Sequence, residues 1–185
     1  LILLNKSDLA EAARGALESL KLYQDLGYPL LTVSAKHDVS PLLPWLSRQT
    51  TVLVGQSGMG KSTLINALVP GAAAATAELS AALNSGRHTT TSGRLYHLNP
   101  ESHIIDSPGM QEFGLHHLSL CDLAAAFVEF RPYLGQCKFN DCRHLGEPSC
   151  AIAQAQEEGK VSGRRIASYR KLAGILTAHP ARDGK

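Results

Sequence analysis

The chain has 185 residues, a length that allows one well-buried core and a small additional unit. Hydrophobic residues make up 44% and charged residues 18%, as in ordinary soluble globular proteins. No apolar run approaches the ~18 residues of a membrane span, so we expect no membrane partner. The charge is uneven: residues 1–130 carry 8 Lys and Arg against 11 Asp and Glu, and residues 131–185 carry 10 against 5. The basic C-terminal part favours a polyanionic partner.

The first half of the chain alternates predicted strands and helices. It opens without Met on the apolar run 1–4, already a strand, so we expect that an N-terminal part is missing. A helix over 9–26 with an inward apolar stripe follows, then a second buried strand over 30–33. A short helix over 40–48 leads to a third buried strand, 52–54. This β-α-β order predicts an α/β fold with a largely parallel sheet covered on both faces.

The first polar motif, Asn5-Lys6-Ser7-Asp8, directly follows the first predicted strand. The Asp8 carboxylate can accept two N–H bonds that guanine offers and adenine does not. Asn5 would order the loop, the Lys6 stem would cover the base, and the turn Ser34-Ala35-Lys36 would offer a backbone N–H to guanine. The alternative is an Asx-type turn in which Asp8 caps the next helix. A phosphate-binding loop later in the chain favours the guanine site.

That phosphate loop fits the pattern G-x-x-x-x-G-K-[ST] after the third strand and before a helix over 63–68. Its residues are Gly55, Gln56, Ser57, Gly58, Met59, Gly60, Lys61 and Ser62, followed by Thr63. Backbone N–H groups cradle the phosphates, Lys61 reaches the β- and γ-phosphates, and the Ser62 hydroxyl ligates Mg²⁺. The alternative is a glycine-rich turn between strand and helix, and the strand–loop–helix context favours the phosphate loop over it.

Two segments downstream are candidates for sensing the γ-phosphate. The alanine-rich stretch 71–85 is typical of a mobile switch, and the run 89–91 offers the hydroxyl of Thr90 to magnesium, unless it is only a threonine-rich strand entry. Predicted strands over 94–98 and 103–105 follow. The second ends in Asp106-Ser-Pro-Gly109, where Asp106 can hold magnesium through water and the Gly109 N–H can sense the γ-phosphate.

The C-terminal part contains a set of metal-ligand residues with close spacing. Cys137, Cys142, His144 and Cys150 can surround Zn²⁺ tetrahedrally, which predicts a structural zinc site rather than a disulfide scaffold. The alternative is a cluster of reduced thiols. An amphipathic helix over 118–130 precedes the set, and we expect its Cys121 to be a small buried residue.

Two further helices, over 151–158 and 162–177, complete the predicted C-terminal part. The second has an inward stripe, and its other side is basic. The stripe consists of Ile166, Tyr169, Ala173 and Leu176. The candidate contacts for RNA phosphates are Lys138, Arg143, Lys160, Arg164, Arg165, Arg170 and Lys171. A solvated basic face is the alternative.

Together these motifs resemble the RsgA (YjeQ) family of circularly permuted Ras-like GTPases, in which the guanine-reading loops precede the phosphate loop. The resemblance covers nearly the whole chain. It implies a permuted GTPase domain over 1–116, a mostly helical zinc-binding domain over 117–185, and an RNA-binding OB domain that this chain lacks. It also implies a cytoplasmic monomer that binds GTP and GDP with Mg²⁺, one structural zinc, and rRNA of the small ribosomal subunit. Hydrolysis would be slow until the subunit stimulates it.

The residue that positions the attacking water differs from the ordinary GTPase pattern. Met110 stands directly after Gly109, where other GTPases place a glutamine. The resemblance implies that His88, in the motif Gly-Arg-His-Thr, takes this role beside Lys61, since a neutral imidazole can orient water near pH 7. The alternative is that His88 is an exposed switch residue that contacts the ribosome.

Two other functions compete with this interpretation. The first is an ATPase. The motif that ends in Asp8 argues against it, since a site built to hydrogen-bond one base rejects another by ~10⁴-fold. A zinc-stapled RNA-binding module that binds nucleotide without turnover would not need Lys61, Ser62 and Asp106 intact. The sequence therefore favours GTP hydrolysis coupled to release from the small subunit.

Overall fold

A computed structural model of the chain describes residues 1–72, 93–107 and 118–178. The chain divides into two compact units, Leu1–Phe113 and Gly114–Lys185. The predicted domain limit at 116 and 117 lies outside the described residues. Within the described ranges, every helix is too short or too polar to cross a membrane.

The elements of the N-terminal unit follow the predicted order. Strand β1 (Ile2–Leu4), helix α1 (Ala10–Asp25) and strand β2 (Leu30–Thr32) come first. A 3₁₀ turn and the short helix α2, strand β3 and helix α3 follow, with bounds Ser40–Leu42, Leu43–Leu46, Thr50–Leu53 and Lys61–Leu68. Strands β4 and β5 complete the described part of this unit, with bounds Arg94–Asn99 and Ser102–Asp106.

Among the described residues the strands form two sheets. Strands β1 and β2 pair in parallel, and β5 lies between β3, its parallel partner, and β4, its antiparallel partner. The strand expected at 52–54 is present as β3, over Thr50–Leu53. Its expected burial is wrong, and so is the expected cover on both faces for this part of the chain. Val52 is 53% exposed and Val54 48% exposed. Strand β3 alternates exposed with half-buried residues, so only one of its faces packs on the core.

The core of the N-terminal unit lies under the phosphate-loop helix. Leu64 and Ile65 of α3 pack with Val33, Leu46 and Ile104, all at most 4% exposed. Helix α1 contributes no buried residue, and its predicted inward stripe is only partly covered, because Leu9 and Leu17 are exposed. Helix α3, strand β5 and Val33, which directly follows β2, are thus the better-packed part of this unit.

The C-terminal unit is helical, as predicted, with one change. The predicted helix over 118–130 is instead helix α4 (Leu120–Ala126) followed by a 3₁₀ segment (Val128–Tyr133). Ser119 begins α4 with a capping box, in which its hydroxyl accepts the Asp122 N–H and the Asp122 carboxylate accepts the Ser119 N–H. Helices α5 and α6 span Ala151–Glu157 and Gly163–Ala178.

The predicted inward stripe of α6 is buried and forms the centre of this core. Tyr169 and Phe130 are fully buried, and Phe127 meets both rings with centroids 5.5 and 5.0 Å away. Ile166 and Ala173 complete the stripe with exposures of at most 2%. The expectation for Cys121 is wrong, because this side chain is exposed on α4.

Candidate functional site

The guanine motif and the turn at 34–36 meet at the ends of β1 and β2. These strands are parallel neighbours, so the loops after them lie side by side. The Asn5 Oδ1 accepts the backbone N–H of Ala35 at 3.0 Å, and the Ser7 N–H donates to the Val33 carbonyl at 3.1 Å. Asp8 does not cap α1, because the N-cap position of this helix is Leu9, and no side chain caps it. The structure thus leaves the Asp8 carboxylate available to a ligand.

Asp8 keeps one partner, and that partner affects its charge. The Ser34 hydroxyl donates to Asp8 Oδ1 at 2.6 Å. This hydrogen bond lowers the pKa of Asp8 below its ordinary value, with smaller contributions from the Asp8 backbone and from His37 and Lys36. The carboxylate is therefore ionised at neutral pH, as an acceptor of two guanine N–H groups must be.

The guanine motif is tied directly to the phosphate loop. The Asn5 amide donates to the Met59 carbonyl at 3.1 Å, and the Lys6 ammonium donates to the Gly58 carbonyl at 2.9 Å. Gly60 has φ +89°, and a Cβ there would lie 2.5 Å from Asn5 Nδ2. Only glycine fits this close approach. The predicted base-reading and phosphate-binding segments are therefore one hydrogen-bonded assembly.

A cavity of about 200 Å³ opens beside this assembly. Eight of its lining residues were predicted for the nucleotide site: Asn5, Lys6, Asp8, Ser34, Ala35, Lys36, Gly60 and Thr63. The ninth, Leu9, was not predicted for the site. It follows Asp8 directly and offers an exposed apolar surface, so its position after the guanine motif was the available signal.

The phosphate loop keeps its lysine folded back on its own backbone. The Lys61 ammonium donates to the Gly55 carbonyl at 2.6 Å and to the Gln56 carbonyl at 3.2 Å. The loop enters helix α3 at Lys61, with Gly58 and Gly60 both in the left-handed region. Ser62 and Thr63 follow in the first turn of α3. The N-terminus of a helix favours an anion, and Lys61, the only cation of the loop, lies at the N-terminus of α3.

Asp106 lies beside the strand that leads to the phosphate loop. It ends β5 and pairs with Leu53 of β3, and the next residue, Ser107, donates its hydroxyl to the Leu53 carbonyl at 2.9 Å. The Asp106 Oδ1 is buried without a hydrogen-bond partner among the described residues. Burial raises the pKa of Asp106 above its ordinary value, and the nearby Lys61 charge opposes this rise. An orphaned buried carboxylate oxygen fits the Mg²⁺ that GTPases use.

Three predicted site residues cannot be related to this geometry. His88, Thr90 and Gly109 lie outside the described residues, as do Met110 and residues 73–85 of the predicted switch. Their roles remain predictions.

The four predicted zinc ligands come together in the C-terminal unit. The ligand atoms of Cys137, Cys142, His144 and Cys150 all lie within 4.8 Å of one another. The His144 Nδ1 is 3.5, 3.6 and 3.4 Å from the three sulfurs. Tetrahedral zinc, with Zn–S ~2.3 Å and Zn–N ~2.0–2.1 Å, requires an S···N separation of ~3.6 Å. The separations between the histidine nitrogen and the three sulfurs therefore fit a tetrahedral zinc ion.

Burial supports the same conclusion about the metal. It raises the pKa of the Cys142 thiol, so a thiolate there needs a cation to stabilise it. It lowers the pKa of His144, which favours the neutral imidazole that a metal requires. Cys150 is buried and the other three ligands are half-buried, and a set of four protein ligands is typical of a structural site.

Two residues that the sequence did not predict for the site hold the metal loop in shape. The Glu147 carboxylate accepts backbone N–H groups at 2.8–3.1 Å from Arg143, Leu145 and Gly146. Burial acts in the opposite direction, but these bonds and one from the Glu147 backbone lower the pKa of Glu147 to about 2. The Tyr169 hydroxyl donates to the Arg143 carbonyl at 2.7 Å. The weak signal for Glu147 was an acidic residue between two predicted ligands.

One predicted RNA contact has another role. Arg165 is 9% exposed, forms an ion pair with Glu129, and lies 4.3 Å from the centroid of the Phe127 ring. It is therefore part of the core and not of a phosphate-binding face. Lys160 pairs with Glu158 at 2.6 Å. The exposed basic residues among those predicted include Lys138, Arg143, Arg170 and Lys171.

The fold and the site together define a circularly permuted GTPase with a metal-binding C-terminal unit. The family model described as RsgA GTPase matches residues 1–116, and the chain belongs to that family.

Curated relatives match along nearly the full chain. Two proteins named "Small ribosomal subunit biogenesis GTPase RsgA" are each 58% identical, one from Nitrosospira multiformis over 179 residues and one from Nitrosomonas europaea over 184 residues. Each match covers 97% of this chain, but only 57% and 59% of the respective relative. The chain thus spans somewhat more than half the length of these relatives.

Solved structures show the same fold. YjeQ from Thermotoga maritima is 30% identical with a TM-score of 0.73, covering 95% of this chain and 59% of that one. YloQ, described as a circularly permuted GTPase, is 27% identical with a TM-score of 0.72, covering 98% and 58%. The predicted permuted fold is confirmed.

Proposed function

We propose that this chain binds GTP with Mg²⁺, hydrolyses it to GDP and phosphate, and uses the hydrolysis to control release from the small ribosomal subunit. The observation that carries the proposal is the single assembly of Asp8, Asn5 and the phosphate loop around one cavity. A base-reading carboxylate joined to a phosphate cradle fits a guanine nucleotide in one orientation. The names of the curated relatives support the small ribosomal subunit as the partner.

Each residue of the assembly has a proposed part in binding or turnover. Asp8 accepts from guanine, Asn5 and Lys6 hold the loops, and the 34–36 turn lies against the base. The Lys61 ammonium moves away from the carbonyls of Gly55 and Gln56 and neutralises the charge that develops on the β- and γ-phosphates. Ser62, Thr90 and Asp106 would hold Mg²⁺, which supplies electrostatic stabilisation of the transferring phosphoryl group. His88 orients the attacking water, and Gly109 senses the γ-phosphate.

The C-terminal unit is proposed as the part that meets rRNA. One structural zinc would be held by Cys137, Cys142, His144 and Cys150, whose ligand atoms lie within 4.8 Å of one another. The net positive charge of residues 131–185 supports a phosphate-rich partner. We expect this role to be carried out in the cytoplasm by a monomer, with one chain acting on each small ribosomal subunit.

A phosphate-release assay with the 185-residue chain, GTP and Mg²⁺, with and without small ribosomal subunits, tests this function. We expect slow release alone and a large increase with subunits. Lys61→Ala should abolish both rates, and Lys21→Ala, an exposed lysine on α1, should leave them unchanged. His88→Ala should keep nucleotide binding but lose the stimulation.

The outcomes of this assay separate the proposal from its alternative. Guanine nucleotide binding without phosphate release under either condition would favour the RNA-binding module without turnover. Stimulated release that persists in His88→Ala would show that another group orients the water. Equal release from ATP and GTP would contradict the proposed reading of guanine by Asp8.

A further inference from the structure

Two histidines outside both described sites face each other across strands β4 and β5. His97 and His103 are direct partners in the antiparallel register, so their side chains leave the sheet on the same face. Their Nδ1 atoms are 2.9 Å apart, and the rings meet edge to face with centroids 4.8 Å apart. Neither histidine takes part in the cavity at Asp8 or in the cysteine cluster.

We propose that His97 and His103 chelate one divalent transition-metal ion. Imidazole nitrogen suits Cu²⁺, Ni²⁺ and Zn²⁺. Two neighbouring ligands at 90° with metal–nitrogen bonds of ~2.1 Å lie ~2.9 Å apart, whereas a tetrahedral angle separates them by ~3.4 Å. The observed 2.9 Å between the Nδ1 atoms matches the first arrangement. The pair can therefore accommodate the octahedral or square-planar ions Ni²⁺ and Cu²⁺.

The strands preorganise this pair for a ligand. The register places both backbones, so binding an ion orders little more than the two imidazole rings. His97 is exposed and His103 half-buried, which leaves the remaining coordination positions to water. The nearby carboxylate of Glu101 is engaged by Arg48, with Nε and Oε2 3.6 Å apart. The site is thus a two-imidazole chelate.

Binding requires a change of tautomer but no loss of a proton. In the neutral pair, one Nδ1–H donates to the other Nδ1. With a metal on both Nδ1 atoms, the donor ring carries its hydrogen on Nε2. The ion replaces one hydrogen bond by two coordinate bonds and joins β4 to β5, the strand that ends at Asp106. An ion that binds only the folded hairpin also raises the thermal stability of this unit.

Calorimetric titration of the zinc-loaded chain with Ni²⁺ tests the proposal. We expect one equivalent of Ni²⁺ to bind at this pair. His97→Thr and His103→Thr, which introduce a good strand former, should each weaken its affinity at least tenfold. His37→Ala is the matched control, an exposed histidine outside the pair, and should leave the affinity unchanged. Retained GDP binding in both threonine variants would show that they are folded.

A measurement on the unaltered chain removes the dependence on variants. Paramagnetic Ni²⁺ should selectively broaden the ring NMR signals of His97 and His103. Broadening centred on another histidine, such as His88, His116 or His117, would overturn the assignment. Unchanged affinity in either threonine variant, or an equal loss in His37→Ala, would overturn it as well.

Discussion

In the N-terminal unit the site lies between loops that hold one another, whereas in the C-terminal unit it lies against packed aromatic rings. Asn5 and Lys6 reach the phosphate loop through hydrogen bonds at exposed positions. His144, by contrast, has its ring 6.3 Å from that of the fully buried Tyr169. The first arrangement can adjust to a ligand that comes and goes. The second suits an ion that stays, because Cys150 is part of the core and Cys137 and Cys142 pack against it.

Zinc removal should produce the largest difference between the two units. A unit this small has a limited core, and the proposed structural zinc would add ~10 kcal/mol or more to its folding, as in other small zinc units. We expect a strong chelator to unfold residues 114–185 while guanine nucleotide binding persists. Hydrogen exchange with and without chelator, beside a GDP-binding assay, measures both. Cys121→Ser, outside the cluster, should behave as the unaltered chain. Simultaneous loss of protection in both units would show that the two units do not unfold independently.

Asp8→Asn should have the next largest effect, confined to the N-terminal unit. An asparagine amide cannot accept both guanine N–H groups, so affinity for GDP should fall by as much as ~10⁴-fold and xanthosine diphosphate should bind better. Competition binding with the two nucleotides measures the change. Asp25→Asn at the end of α1 is the control and should have no effect. If GDP affinity survived in Asp8→Asn, another group would read the base.

Glu147→Ala tests whether the Glu147 carboxylate preorganises the metal loop. Removing the acceptor of three backbone N–H groups should weaken zinc binding by ~10- to 100-fold, the usual cost of losing a residue that orients metal ligands. Competition with a chromophoric chelator measures the affinity. Glu157→Ala on α5 changes the same charge at an exposed position and should leave zinc affinity intact. An unaltered affinity in Glu147→Ala would mean that the four ligands alone shape the loop.

Ser34→Ala should have the smallest effect, a shift in the titration of Asp8. The Ser34 hydroxyl is the main reason that the pKa of Asp8 lies below its ordinary value, so the pKa should rise in this variant. Asp8 would then protonate at a higher pH, and the acid limb of GDP binding should move in the same direction. NMR titration of the Asp8 carboxyl measures this. Ser40→Ala should instead raise the pKa of Asp38, which Ser40 lowers, and leave Asp8 unchanged.

The sequence predicted the sites better than the packing around them. Spacing alone predicted the four residues whose ligand atoms the structure brings together, because a zinc site depends on a few side-chain types. Eight of nine cavity-lining residues also belong to predicted motifs. The errors concern burial. Val52 and Val54 are apolar but exposed, and Cys121 is exposed on α4. Apolar character shows that a side chain can be buried, but not that a neighbour covers it.

Some features required the tertiary structure because they join distant residues. Nothing local in Arg165 indicates an ion pair with Glu129, which is 36 positions away. The break between α4 and the 3₁₀ segment at Phe127 arises where that ring stacks on Phe130 and meets Tyr169. Likewise, the facing of His97 and His103 depends on the strand register.

By itself, the sequence determined which residue types this protein carries and in what order: a predicted guanine-reading motif, a phosphate-loop pattern, a carboxylate and a predicted zinc-ligand set. Such motifs are readable because backbone conformation and ligand chemistry restrict each to a few residue types at a fixed spacing. Only the tertiary structure decided which groups touch, which are buried and which stay available. Those properties depend on long-range packing, to which every neighbouring element contributes.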